Sequence, residues 1–338
     1  MALGAAASYR GISMVTRRPS TPFGCWLLMV ATTALCAAAA KANAQVPPDF
    51  TGLSARAPNS ASTPVSVEAS ASMVDVPAGT YPLGRADGPS DQRPVHHVTM
   101  GAFRMDRTEV TNAAFAEYLN ALGLKVNGSF EIGDIGRRNG PREVVSLLSE
   151  GWEGSGRYPI IALDDDQARI VLGDGRFAAA PGYADHPVAE ATWAGARAYC
   201  LWRGADLPTE AQWEAAARGT DNRQYPWGDN APDSSKLFVS GRSGVTGPVG
   251  VHPAGASQFG ALDMAGSMAE WTLSLKRSYP YTHLDGREDP FRAGERVTRG
   301  GDYLYDRTPE KQTVSHRDGF SNAPGRGHRH IGFRCASR

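Results

Sequence analysis

The chain has 338 residues, 41% of them hydrophobic, with 35 basic and 35 acidic side chains. That is enough to build and cover one large core or two modest ones, and too apolar for a chain disordered throughout. Its 38 Gly, 23 Pro and 7 Trp predict a loop-rich globular protein with few long helices, and the absence of a basic excess argues against nucleic acid as a partner.

Arg17 and Arg18 precede an apolar run from Phe23 to Ala40, and Ala42-Asn43-Ala44 supplies a small-residue cleavage site before Gln45. Residues 1–44 therefore read as a secretory signal peptide, with an uncleaved anchor as the alternative. Cleavage leaves 31 basic against 35 acidic residues, a net of −4, so a periplasmic or secreted protein without stable membrane association is expected. Cys25 and Cys36 leave with the signal, and Cys200 and Cys335 remain. Two cysteines in an oxidising compartment invite one disulfide, which would contribute about 4 kcal/mol through the long loop that it closes. Residues 45–72 are rich in Pro, Ser, Thr and Ala without a period and read as a flexible linker, which leaves 73–338 as the folded domain.

The domain opens with short alternating strands in "MVDVPAGTYPLG" and "VHHVTMGAFRMD". Thr111 is placed to cap a helix with Phe115, Tyr118, Leu119 and Leu122 on one stripe and Gly123 as its stop. Thr192 is placed to cap a second helix, in which Trp193, Ala196 and Cys200 share a face. Thr209 and Gln212 have the spacing of a capping box at the head of a third, with Trp213, Ala216 and Ala217 on the buried side. Between the first two helices, residues 124–190 contain "ARIVL" and "RFAA" around Gly173-Asp174-Gly175, the pattern of a hairpin. A connection this long is expected to be an elaborated surface that shapes specificity.

The segments "DRTEVTNAAFAEYL", "HPVAEATWAGARAYCLWRGADLPTEAQWEAAARG", "YPWGD", "GALDMAGSMAEWT", "RVTRGGDY" and "IGFRCASR", in this order, resemble the sulfatase-modifying-factor family, whose founding members are formylglycine-generating enzymes. The resemblance covers roughly residues 73–338. It implies an α+β domain of the formylglycine-generating-enzyme fold, related to C-type lectins and poor in regular secondary structure. In those enzymes two cysteines after the Arg-Gly-Gly segment hold copper. Counting from Gly301, these positions fall on Tyr305 and Glu310, neither of which is a soft thiolate, so copper is not expected.

The same resemblance pairs Cys200 with Cys335 and places a second family disulfide at Ala217 and Ser315, where both cysteines are missing. It also implies a calcium site in "GSMAEW". There Glu270 remains and Ser267 replaces an asparagine ligand; the alternative is that Glu270 is a hydrogen-bonded structural carboxylate. Trp271, Asp302, Tyr303 and Tyr305 are expected to line the substrate pocket, with Tyr305, Glu310 and His316 as catalytic candidates. Arg299 is expected to lock its strand. His328 and His330 could join His316 or Asp318 in a two-histidine-one-carboxylate metal site, against a solvated basic loop as the alternative.

Two functions of different class follow. One is an exported enzyme resembling the pyoverdine-maturation branch, performing oxidative tailoring or maturation of a peptide or small molecule without the copper-cysteine pair. The other is a non-catalytic ligand- or protein-binding module on the same scaffold. A formylglycine-generating oxidase of the copper type is disfavoured by Tyr305 and Glu310.

Overall fold

Three threonines start the helices, each by the mechanism its sequence context predicts. In the computed structural model, which describes residues 72–122, 130–134, 143–147, 158–163, 167–239, 244–292, 294–321 and 327–338, helix α1 runs Asn112–Ala121, α2 Trp193–Trp202 and α3 Glu210–Arg218. The Thr111 hydroxyl accepts from the Ala114 N–H at 3.3 Å and that of Thr192 from Gly195 at 2.9 Å. Thr209 and Gln212 close a full capping box, at 3.1 and 2.9 Å, and each such cap stabilises its helix by about 1 kcal/mol. The expected signal peptide, nearly all of the linker, and Gly123 lie outside the described residues.

Strands β1 (Met73–Val76), β2 (Gly79–Leu83), β3 (His96–Met100) and β4 (Phe103–Asp106) form the entry. Hairpin β2–β3 stands beside a three-stranded sheet of order β1-β4-β14, where β14 is Ala336–Ser337. The chain end thus pairs with the entry strand, and this brings Cys335 to α2, where it is bonded to Cys200. A four-stranded sheet of order β12-β11-β10-β13 is built from β10 (Ala269–Leu275), β11 (Glu295–Arg299), β12 (Arg317–Ser321) and β13 (Ile331–Gly332). Its pairings are antiparallel except for β10 with β13.

Two apolar clusters flank this framework. One gathers Phe115, Tyr118, Trp193, Tyr199, Trp271, Phe333 and the disulfide. The other gathers Tyr81, Phe103, Met105, Trp213, Met264 and Val314.

The described part of the stretch expected to be surface elaboration also contributes to the core. Strands β5 (Phe130–Asp134), β6 (Glu143–Leu147) and β7 (Tyr158–Ala162) form a sheet, and β8 (Ile170–Gly173) pairs with β9 (Arg176–Ala179) through Asp174 and Gly175, both at positive φ as a two-residue turn requires. Ile160, Ile161, Ile170 and Phe177 are buried in the first cluster. The Asn120 amide clamps the Phe177 backbone on both sides, at 2.8 and 2.9 Å. Gly195 lets α2 lie directly on β7, since a Cβ there would stand 2.1 Å from the Ile160 carbonyl oxygen.

Candidate active site

Arg299 ends β11, and Gly300 and Gly301 then turn the chain at φ 100° and 69°. A Cβ on Gly301 would lie 2.4 Å from the Lys311 carbonyl, so this glycine is what allows the following loop to fold back over its own start. Beneath the turn, Arg299 is fully buried. It pairs with Glu214 and donates to the Val314 and Ser315 carbonyls at 2.8 and 3.2 Å, which locks the returning end of the loop as expected. Arg218 takes the other oxygen of Glu214 at 2.7 Å, and Arg317 grips Glu210 through two bonds of 2.6 and 2.8 Å. Burial pushes the Glu214 carboxyl upward, but Arg299 and Arg218 outweigh it and hold it below the usual carboxylate range.

Asp302, expected to line the pocket, is buried and turns inward. Its Oδ1 accepts the backbone N–H groups of Leu304, Tyr305 and Asp306 at 2.6, 2.5 and 3.3 Å, so it is the cap of the loop rather than a group offered to a ligand. Tyr303 is also buried and donates its hydroxyl to the Arg329 carbonyl at 3.0 Å. Trp271 lies in the first apolar cluster with its indole N–H on the Ala191 carbonyl at 3.3 Å. These three residues therefore shape the site from behind. Of the four expected pocket residues, only Tyr305 is exposed, at 65%. Its ring meets His330 edge-on at 4.9 Å, and Phe320 and His328 continue the aromatic surface.

The calcium expectation meets a similar obstacle. Glu270 is fully buried. It receives a two-pronged bond from Arg334, 2.7 Å on each arm, and a third from the Trp213 indole at 2.9 Å. The Ser267 hydroxyl donates to Glu109 at 3.0 Å. A cation added here would confront a buried guanidinium whose charge already neutralises the carboxylate, so Glu270 and Ser267 do not fit calcium, and the structural-carboxylate alternative describes the geometry. Copper fares likewise: an exposed phenol at 305 and an exposed carboxylate at 310 are not thiolate donors. Among the described residues, no three His, Cys, Asp or Glu side chains are grouped to hold a metal.

Chemistry-bearing groups do converge on one side of the loop. A cleft of about 360 Å³ lies between the β2–β3 connection and the loop. Its walls include Arg85, Asp91 and Gln92 from the first, and Glu310, His316 and Asp318 from the second. Glu310 sits in the first turn of the short 3₁₀ helix Pro309–Gln312. Its own backbone N–H and the Thr308 hydroxyl, with help from Arg85, hold its carboxyl below the usual range.

His316 is 5% exposed, and its Nε2 faces Asp306 Oδ2 at 3.4 Å. Burial raises the Asp306 carboxyl, but the His316 contact and Lys311 outweigh it and hold it below the usual carboxylate range. A carboxylate that orients an imidazole beside a cleft can serve as a proton-transfer pair. At His330, burial depresses the imidazole pKa although Asp302, Asp306 and Asp318 oppose it, so this ring is neutral near pH 7.

Sequence reasoning found Glu310 and His316 but not the role of Asp306, nor the opposite wall with Arg85 and Asp91. That wall comes from more than 200 residues upstream, and no local pattern carries the pairing. Ser315, at the missing disulfide position, donates to Gln92 at 3.0 Å and so stitches the two walls together.

A mixed α+β framework with few helices, a buried Arg-Gly-Gly strand and a loop folded over it defines the formylglycine-generating-enzyme type of fold. The chain belongs to that family: the model of the sulfatase-modifying factor enzyme 1-like domain matches residues 59–338. It is 32% identical over 245 residues to the formylglycine-generating enzyme of Mycobacterium tuberculosis, covering 63% of this chain and 76% of the relative. It is likewise 32% identical over 270 residues to the serine/threonine-protein kinase Pkn1 of Chlamydia trachomatis, 78% of this chain but 38% of the kinase. The chain thus spans about two fifths of that relative. Among solved structures, PvdO from Pseudomonas aeruginosa superposes with a TM-score of 0.52 at 22% identity, over 79% of this chain and 94% of that one, which shows a shared fold. None of the described helices is long and apolar enough to cross a membrane.

Proposed function

We infer that this protein is an oxidative tailoring or maturation enzyme of the family, acting on a peptide or small molecule and working without the copper-cysteine pair. The observation that carries the reading is the Asp306–His316 pair, whose imidazole lines an open cleft, in the segment that the resemblance matches to the copper ligands of the founding enzymes. A scaffold kept only for binding has no need of a carboxylate-oriented imidazole there. In this reading His316 takes or returns a proton of the bound substrate, Asp306 holds its ring, and Tyr305 packs against the substrate from the aromatic side. Family membership supports an oxidative reaction class, and the signal-peptide pattern of residues 1–44 supports a reaction outside the cytoplasm.

The second reading, a non-catalytic binding module, draws on the burial of Trp271, Asp302 and Tyr303 and on the neutralised Glu270. Oxygen uptake separates the two. Copper-free protein that keeps its other metals is expected to consume oxygen with at least one member of a panel of peptides and small polar molecules, without added copper. No uptake with any of them, or uptake only after copper is restored, would contradict the enzymatic reading.

A further inference from the structure

We propose that His96 is an acid-sensitive latch: in its neutral form it fastens residues 279–281 to the β2–β3 hairpin, and protonation of its ring releases them together with the cleft wall stacked upon them. Both ring nitrogens are committed, and their partners fix which one carries the proton. Nδ1 lies 2.9 Å from the Pro94 carbonyl oxygen, which can only accept, and Nε2 receives the Tyr281 backbone N–H at 2.8 Å. The ring is therefore the neutral Nδ1–H tautomer. A second proton would go on Nε2 and set one N–H against another, so the imidazolium and this bond exclude each other. Among the described residues, it is the one hydrogen bond from the backbone of residues 279–286 to the hairpin.

His96 is half-buried, and the groups around it are known on each side. Strand β2 sets the apolar Leu83 opposite it in the hairpin. From α3, Glu210 and Glu214 favour its protonation, but Arg317, Arg218 and Arg299 already occupy them. From the latched segment, Tyr279 meets the ring edge-on at 4.6 Å, and Arg287, stacked on Tyr281 at 4.6 Å, opposes a second cation. Glu288 is taken by the Tyr281 and Ser274 hydroxyls. Desolvation is the largest of these influences and, with Arg287, holds the imidazole below its ordinary value of 6.5. The latch thus contributes stability that is fully present above that value and is lost as pH falls through the lower value of the folded state.

The segment that His96 holds supports the cleft. Tyr279 donates its hydroxyl to Glu210 at 3.1 Å and carries the Arg317 guanidinium 4.4 Å from its ring centroid. Arg317 in turn donates to the Asp91 and Arg277 carbonyls at 2.9 and 3.0 Å and lines the cleft next to His316. Release of residues 279–281 loosens the packing behind this wall. The latch does not depend on what the cleft binds.

Amide hydrogen exchange of the disulfide-bonded protein tests the latch, with protection expressed relative to the free-peptide rate at each pH. Between pH 8 and pH 5 the Tyr281 amide is expected to lose about tenfold or more of its protection, whereas β10 and β11 keep theirs. In His96→Gln, whose side chain does not titrate, protection at Tyr281 should be the same at both pH values. In the parent, nitrogen–proton correlation spectra should show the His96 ring as the Nδ1–H tautomer with a pKa below 6.5, a reading that needs no variant. Unchanged Tyr281 protection in the parent at pH 5, an equal acid loss in folded His96→Gln, or a His96 pKa at or above 6.5 would overturn the proposal.

Discussion

The charged groups under the Arg-Gly-Gly strand and those on the loop above it are of the same chemical kind but in opposite states. Below, Arg299, Arg218 and Arg317 satisfy Glu214 and Glu210 completely in the buried interior. Above, Asp318 and Asp91 share Lys276, Glu310 is exposed, and His316 lines a cleft. The family motifs mark the lower layer, where both carboxylates are paired and a substitution would leave a buried charge alone. The loop is where chemistry can be exchanged without refolding the protein. Tyr305 and Glu310, both exposed on that loop, can be changed without touching the buried pairs.

Mutations can break that contrast from both sides. The largest effect belongs to the interior. Arg334→Met removes five hydrogen bonds and leaves Glu270 as an unpaired buried carboxylate, so it should cost about 5 kcal/mol, read from urea unfolding. A loss below about 1 kcal/mol would show that Glu270 finds another partner there. Opening the Cys200–Cys335 bridge, which spans 135 residues, should cost about 4 kcal/mol in the Cys200→Ala/Cys335→Ala variant. Mass analysis of the non-reduced parent should show two hydrogens fewer than the free-thiol form.

A smaller effect is one of pH. Burial, reinforced by Asp263 and Glu270, raises the Glu109 carboxyl well above its usual range. The folded protein then holds a proton that the unfolded chain releases. The stability from this group is fully present below the ordinary carboxylate pKa and is lost as pH rises through the folded value. Glu109→Gln should therefore remove part of the decline in stability between pH 5 and pH 8, measured by chemical unfolding at both; an unchanged slope would count against it. The smallest structural effect is expected on the loop, where Tyr305→Phe and Glu310→Gln at exposed positions should change stability by less than about 0.5 kcal/mol.

The sequence made the scaffold legible wherever the cause was local or the motif buried. The three threonine caps follow from a hydroxyl three residues before an N–H, and the Asp174-Gly175 turn from two residues that tolerate positive φ. Cys200 and Cys335 are the only cysteines beyond the expected signal peptide. What stayed illegible depended on groups distant in the chain. Glu270 looks like an oxygen ligand until Arg334 is seen to reach it. The resemblance offers Trp271, Asp302 and Tyr303 as pocket residues, yet the fold of strand and loop turns each of them inward. The cleft itself needs Arg85 and Asp91, which no motif links to the loop.

The claim that function resides in the loop and not in the family motifs is tested most directly by kinetics on a substrate found by oxygen uptake. Tyr305→Phe and His316→Gln should be compared with the parent for kcat/KM and for the unfolding midpoint in the same preparation. We expect His316→Gln to lower kcat/KM at least a hundredfold while the protein remains folded, and Tyr305→Phe to lower it about tenfold with an unchanged midpoint. Parental kcat/KM in a folded His316→Gln variant would contradict it.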